Sequence, residues 1–277
     1  MLKQRIITAL LLLAVFIPTL LYPSIEPFAA FTLLLIGAAA WEWARLNGCG
    51  PTAAVAAGVG MALAGLVFWL LGGMARGWQG LWLALGLLWP LLALLMLRGG
   101  SDGLRRCPAV LRLWLGLFLI ACAWLALVQA RQVGLGFLLS VLMLVWAADI
   151  AAYFGGRRFG KRKLAPSISP GKSWEGAISG LIGVLLLAAI GVWASRQGWV
   201  APGHLFDRLW ALGPALAVAA LLFLTAMSVA GDLVESLVKR SAGVKDSSGL
   251  LPGHGGVLDR IDALLPVLPL SLMFVNV

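Results

Sequence analysis

The sequence predicts an all-α fold, a polytopic bundle of transmembrane helices, on three observations. Of the 277 residues 61% are hydrophobic and only 12% charged, and the mean hydropathy is +0.98, far too apolar for a water-soluble domain. Several apolar runs reach the ~20 residues that cross a bilayer. The basic residues collect in the loops at alternate ends of those runs, as the positive-inside rule requires of a multi-span protein. With the spans subtracted, no room is left for a separate soluble domain, so residues 1–277 are expected to form a single integral membrane domain.

In chain order, hydropathy predicts spans at 5–22, 27–46, 53–73, 79–97, 110–130, 134–154, 174–195 and 209–231. A ninth, shorter candidate at 261–276 carries Pro266 and Pro269. The first run follows the charged start MLKQR and resembles a signal peptide. No Ala-x-Ala-like cleavage site closes it, however, and a retained helix is expected. Trp41, Glu42 and Trp43, at the end of the second run, read as an interfacial belt. With nine spans and a cytoplasmic N-terminus, 17 basic residues fall inside and four, Arg76, Arg131, Arg196 and Arg208, outside. That asymmetry predicts an N-in, C-out chain and accounts for much of the +10 net charge. Basic groups at the inner face also attract anionic lipid headgroups. Nucleic-acid binding is disfavoured, because no soluble module carries the charge. Cys49, Cys107 and Cys122 are odd in number and lack metal spacing, so free thiols are expected.

The first 130 residues hold only Glu26, Glu42 and Asp102 as acids. They are read as scaffold, and residues 131–277 as the catalytic half. Two segments there carry the chemistry, both on the predicted cytoplasmic side. In the first, 146–177, Asp149 falls inside an apolar span about one turn from its end, where a carboxylate is costly unless paired or bound to a cation. A structural ion pair with Arg157, Arg158 or a base from another loop is the plainer alternative. Six basic residues follow within 16 positions, interleaved with glycines and with Ser167, Ser169 and Ser173. Lysine and arginine bind phosphate by charge, and serine hydroxyls and a helix start near Ser173 add neutral donors, which suits a polyphosphate. Gly171, Lys172 and Ser173 look like the end of a Walker A loop. Pro166 stands where that loop needs glycine, and no strand precedes it, so a P-loop is rejected.

The second segment begins with Gly231, Asp232, Glu235 and Ser236. The i,i+3 and i,i+4 spacings predict three oxygen donors on one helical face. Asp259 and Asp262 form another i,i+3 pair around Arg260. Clustered carboxylates at a membrane surface favour a hard divalent cation, Mg²⁺ where phosphates complete the shell. Only two histidines in the chain argue against zinc. Between the acid pairs lie Lys239, Arg240, Lys245, Asp246 and the turn Pro252, Gly253, His254, Gly255, Gly256. The glycines are expected to let backbone N–H groups approach an anionic ligand. His254 reads as a base, a phosphate donor or a turn-stabilising hydrogen bonder.

Ser236-x-x-Lys239-Arg240-x-x-x-x-Lys245-Asp246, followed by Pro252-Gly253-His254-Gly255-Gly256-x-x-Asp259-Arg260-x-Asp262, resembles the signature of the phosphatidate cytidylyltransferases, or CDP-diglyceride synthases. The likeness extends to 146–176, to Gly231-Asp232-x-x-Glu235-Ser236 and to Trp41-Glu42-Trp43, and so covers essentially the whole chain. It implies a multi-pass enzyme of the bacterial inner membrane, with its site facing the cytoplasm, that joins CTP and phosphatidic acid into CDP-diacylglycerol and pyrophosphate. It also implies a homodimer among membrane lipids and a Mg²⁺ site paired with K⁺ at Asp232 and Asp259. The expected catalytic groups are Asp149, Lys172, Lys239, Arg240, Lys245, Asp246, His254 and Arg260. Substrate is expected at Ser169, Lys172, Ser173, Ser236, Lys239, Arg240, Gly255 and Gly256, and metal at Asp149, Asp232, Asp259 and Asp262. A CTP-dependent lipid-alcohol kinase is the nearest alternative and an anionic solute transporter a non-enzymatic one. The Asp-Gly-x-x-Ala-Arg motif of CDP-alcohol phosphatidyltransferases is absent.

Overall fold

The structure is a computed structural model that describes residues 2–275. It is a helical bundle in the order α1 (Leu2–Leu21), α2 (Glu26–Leu46), α3 (Pro51–Leu70), α4 (Gln79–Arg106), α5 (Ala109–Val133), α6 (Leu135–Phe159), β1 (Lys163–Ala165), β2 (Ser169–Ser173), α7 (Trp174–Arg196), α8 (Leu205–Ala211), α9 (Pro214–Ser241), α10 (Leu258–Ile261) and α11 (Leu264–Ser271). Short 3-10 turns follow α3 and α11. Seven of these helices, α2 to α7 and α9, are long and apolar enough to cross a bilayer, and two shorter apolar stretches lie at Ile6–Leu21 and Leu264–Phe274. Leucines such as Leu70 and Leu87, more than three-quarters exposed, face outward, as side chains with lipid for solvent do.

Local chemistry sets the helix ends. Pro51 and Pro214 occupy first-turn positions where their missing N–H groups cost nothing. Ser173 caps α7, its Oγ accepting from Gly176 N at 3.1 Å, at the predicted helix start. Residues 163–173, where the sequence suggested no strand, form a small antiparallel hairpin, β1 with β2.

Two differences from the hydropathy reading bear on the site. The span expected at 209–231 is displaced: α8 takes its first residues, and α9 runs on to Ser241. Asp232, Glu235, Ser236 and Lys239 therefore lie within the long helix. The ninth candidate folds as α11 and a 3-10 turn, eleven residues at 264–274 that are too short to cross a bilayer alone. Residues Leu265–Ser271 are all buried, packed against α5, α9 and α4. Residue 276 lies outside the described residues, as do the side chains of Lys3 and Arg5.

Hydrogen bonds define two ends of the bundle. At one end Thr8 donates to the Pro252 carbonyl, Trp43 Nε1 to Leu113 and Arg112 to Leu104. At the other end Arg131 donates to the Leu20 carbonyl, Gln79 to Met273 and Arg208 to Val275. The four residues expected outside, Arg76, Arg131, Arg196 and Arg208, all belong to this second end or to helix ends that point to it.

α6 and α7 pack along each other more extensively than any other pair of described helices, and small residues form their seam. A Cβ built on Gly180 meets the Ala148 carbonyl oxygen at 2.8 Å, and one on Gly176 meets that of Ala152 at 3.0 Å. Only glycine permits that approach, which brings Asp149 on α6 beside the start of α7.

Candidate active site

A cavity of about 480 Å³ opens between α6, the β-hairpin, the start of α7 and α9. Its polar lining is Asp149, Tyr153, Arg157, Ser169, Lys172, Ser173, Thr225 and Asp232. Asp232 lies nine residues before the end of α9 and Asp149 ten before the end of α6. At 1.5 Å per residue both carboxylates sit about 14–15 Å below the helix ends, deeper than the single turn expected for Asp149.

Lys172 Nζ lies 2.5 Å from Asp232 Oδ2, with both side chains between a quarter and a third exposed. Ser236 Oγ donates to the other Asp232 oxygen at 3.2 Å. Asp149 feels both Asp232 and Lys172, and Asp262 feels Asp232, Lys239 and Lys172. Asp149, Asp232 and Asp262 thus form one electrostatic group with Lys172 among them. An ion pair of Asp149 with Arg157 or Arg158 is not formed.

The expected three-donor face of α9 divides. Residues three apart are offset by about 60° around a helix, and in a helix packed on several sides that is enough to place them in different grooves. Asp232 and Ser236 stay together. Glu235 turns away, with Oε2 2.5 Å from Lys239 Nζ. Lys239 also donates to Asp259 Oδ1 at 2.6 Å, so this buried ammonium bridges two carboxylates and does not line the cavity. The Asp259/Asp262 pair divides likewise. Asp259 faces Lys239 and the loop, whereas Asp262 lies between the two groups, in the field of Asp232 on one side and of Glu235 and Lys239 on the other.

That loop, 242–257, differs most from expectation. The donors read as anion-binding groups serve two of the protein's own carboxylates. Asp259 Oδ2 accepts from Gly256 N at 2.7 Å and from Ser247 N and Oγ at 2.9 Å each. Burial by itself would raise the Asp259 carboxyl, but the Lys239 ammonium and these N–H groups outweigh it and hold it below the usual carboxylate range. Gly255 has a φ of +82°, and a Cβ there meets Asp259 Oδ2 at 2.6 Å. Its glycine is required by the turn and by the carboxylate. Arg260 Nη2 donates to the His254 carbonyl at 2.6 Å, and His254 N donates to the Leu251 carbonyl, so both hold the turn. Arg240 is exposed and donates to the Val244 carbonyl. Lys245 and Asp246 are exposed in the same loop. Lys239, Arg240, Lys245, Asp246, His254, Gly255, Gly256 and Arg260 therefore lie outside the cavity lining.

The second carboxylate is Glu42, which sequence reasoning missed. Fully buried on α2, it accepts from Ser248 Oγ at 2.5 Å, Leu258 N at 2.7 Å, Val257 N at 2.9 Å and Ser247 Oγ at 3.2 Å. It caps α10 and anchors the loop, so the interfacial-belt reading is wrong for Glu42. It is wrong for Trp43 too, whose indole is partly buried and bonded to Leu113. The signal was present: Glu42 is an acid inside an apolar run, and the reasoning applied to Asp149 extends to it.

Among the described residues no three His, Cys, Asp or Glu side chains stand together as a ready metal cage. Asp149, Asp232 and Asp262 nevertheless supply only hard oxygen donors around one shared region. That set suits Mg²⁺, which takes one or two carboxylates and completes its octahedron with water and substrate phosphates.

Residues 3–277 match the family described as the Cytidylyltransferase family. A phosphatidate cytidylyltransferase of Pseudomonas aeruginosa is 42% identical over 273 residues, 97% of this chain and 95% of the relative. One from Haemophilus influenzae is 54% identical over 141 residues, 51% of this chain and 46% of the relative. One from Bacillus subtilis is 41% identical over 141 residues, 50% and 46%.

Proposed function

The chain belongs to the cytidylyltransferase family, and we propose from that premise that the cavity between α6, α7 and α9 is where the cytidylyl group of CTP passes to phosphatidic acid. The products are CDP-diacylglycerol and pyrophosphate. A phosphate oxygen of phosphatidic acid attacks the α-phosphorus of CTP in line. The bond from that phosphorus to the β-phosphate bridging oxygen breaks, and pyrophosphate leaves with the electron pair. The attacking phosphate is already ionised at neutral pH, so the reaction needs positioning and charge neutralisation more than a base.

The observation that carries this reading is the Lys172–Asp232 pair at the wall of a recessed cavity that Asp149, Arg157 and Ser169 also line, with Asp262 in the field of that pair. Asp232 aims the Lys172 ammonium, which with Arg157 offsets charge on the phosphates as pyrophosphate departs. Ser169 and the start of α7 at Ser173 offer neutral donors beside it. Mg²⁺ held by Asp149, Asp232 and Asp262 would neutralise nucleotide phosphate charge. The companion K⁺ rests on the family resemblance. Lys239 is a positioning residue, tying Asp259 and hence the 242–257 loop to α9. The depth of the cavity suits a substrate whose headgroup must reach a polar site while its acyl chains remain in lipid.

The test is turnover by purified protein in mixed micelles. CTP and phosphatidic acid should yield CDP-lipid and pyrophosphate in equal amounts. Lipid phosphate and CDP from a lipid alcohol would indicate the kinase, and transport without turnover would indicate a carrier. Lys172→Gln should lower kcat/KM for CTP by at least about tenfold, roughly 1.4 kcal/mol. A charge serving topology alone would leave those kinetics unchanged.

The same proposal sets the cavity on the cytoplasmic side of a bacterial inner membrane, supported by the 17 bases assigned to that end; the homodimer rests on the family resemblance. Single cysteines at Ser167 and Gly249, both exposed, in a background without native cysteines, should resist an impermeant thiol reagent in intact cells and react after permeabilisation. Labelling of either from outside reverses the orientation.

A further inference from the structure

A second cavity lies behind α9, on the side away from Asp232. It measures about 330 Å³ and is walled by α4, α5, α9 and α11 with mostly apolar side chains, the charged ones being Arg112 of α5 and Glu235 of α9, whose carboxylate is paired with Lys239. Trp89 and Ile120 line its deep part, and Gly103, Cys107 and Leu111 line it near the end of the bundle where α4 passes into α5. That junction is basic: Arg98, Arg105 and Arg106 are exposed there, against the single acid Asp102. Arg112 belongs both to the junction and to the lining. Its Nη1 donates to the Leu104 carbonyl at 3.1 Å, but its Nε is buried without an acceptor. Native structures seldom leave such a donor unmet, above all on a guanidinium suited to binding phosphate through two N–H groups.

An apolar slot that runs into the bundle from a ring of arginines, one of them with an unmet donor, has the chemistry of a lipid with an anionic head and an acyl tail. We propose that this cavity seats an anionic glycerophospholipid distinct from the one that reacts, with one acyl chain behind α9 and its phosphate among Arg105, Arg106 and Arg112. The wall includes Gly231, Val234 and Val238 of α9, so the acyl chain supports from behind the helix that presents Asp232 to the reaction cavity. The site lies on another face of α9 from Lys172, and binding there does not require the proposed reaction.

The test is lipid retention, which reads the site apart from turnover. Wild-type protein is reconstituted in nanodiscs of phosphatidylcholine with a minor fraction of either phosphatidylglycerol or phosphatidic acid, and co-purifying lipid is counted by native mass spectrometry. Wild type should retain phosphatidylglycerol over phosphatidylcholine by at least about fivefold, the preference that one basic contact near the surface supports. Arg112→Gln should remove that preference. Gly103→Leu should lower total retention. Gly103 lines the slot and a Cβ there meets nothing within 4 Å, so the larger side chain is added at the slot wall without displacing backbone. Equal retention of both lipids by wild type, or undiminished retention by Gly103→Leu, overturns the proposal. Retention of phosphatidic acid alone, displaced by CTP, also overturns it and assigns the bound lipid to the reaction cavity.

Discussion

Asp232→Asn is expected to lower CDP-diacylglycerol formation at least about a hundredfold, or roughly 2.7 kcal/mol of transition-state stabilisation, with little change in thermal stability in detergent. Asp232 is the junction of the cavity. It holds Lys172 at 2.5 Å, accepts from Ser236 and shares its field with Asp149 and Asp262. The amide keeps the size of the side chain and leaves no void, and at nearly one-third exposure its burial adds little cost. What it removes is the charge that aims Lys172 and one of the oxygen donors offered to Mg²⁺. The companion measurement is turnover of wild type in excess chelator, expected to stop and to return when Mg²⁺ is added. Normal turnover by Asp232→Asn sinks the assignment of this cavity, and wild-type turnover in chelator sinks the metal.

Glu42→Gln should act differently, through the fold. Its carboxylate is fully buried and accepts from two hydroxyls and two backbone N–H groups. An amide keeps one accepting oxygen and turns an NH₂ group toward the donors of the other, which breaks two of the four bonds and leaves a backbone N–H unmet, while the serine hydroxyl beside it can turn to accept. Charge-assisted bonds of this kind contribute about 1.5–3 kcal/mol each, and the surviving oxygen recovers part of that, so a loss of about 2–4 kcal/mol is expected. Because Glu42 joins α2 to Ser247, Ser248 and the start of α10, the loss should appear as a lower melting temperature and as new protease cleavage within 242–257. Activity should fall in proportion to the folded fraction. An unchanged melt and an unchanged digestion pattern would show that the loop is anchored elsewhere, with Asp259 and Lys239 as the next candidates.

Asp259 shows why the signature motif was easier to find than to interpret. Its spacing with Asp262 suggested a shared metal site, and its neighbouring glycines suggested a ligand for their N–H groups. In the fold that ligand is Asp259 itself. A glycine-rich loop with positive φ and converging N–H groups looks the same in sequence whether its anion is a phosphate or a carboxylate from further along the chain. Glu42, some 200 residues away in sequence, could not be tied to that loop by any local pattern.

The sequence by itself determined that this protein is a multi-helix membrane bundle and where most of its helices lie, and it named Asp149, Lys172 and Asp232 as candidates, which the structure gathers at one cavity. These follow from hydropathy, charge and side-chain type, which act residue by residue. The tertiary structure alone decided which acids face one another. A rotation of about 60° on α9 parts Asp232 from Glu235, the glycine seam of α6 and α7 sets Asp149 into the cavity that Lys172 also lines, and the close approach of the Asp262 backbone to Gly231 brings Asp262 into the field of Asp232. Those outcomes depend on how neighbouring helices fill the grooves on either side. Such packing is a property of several segments together and is encoded in none of them singly.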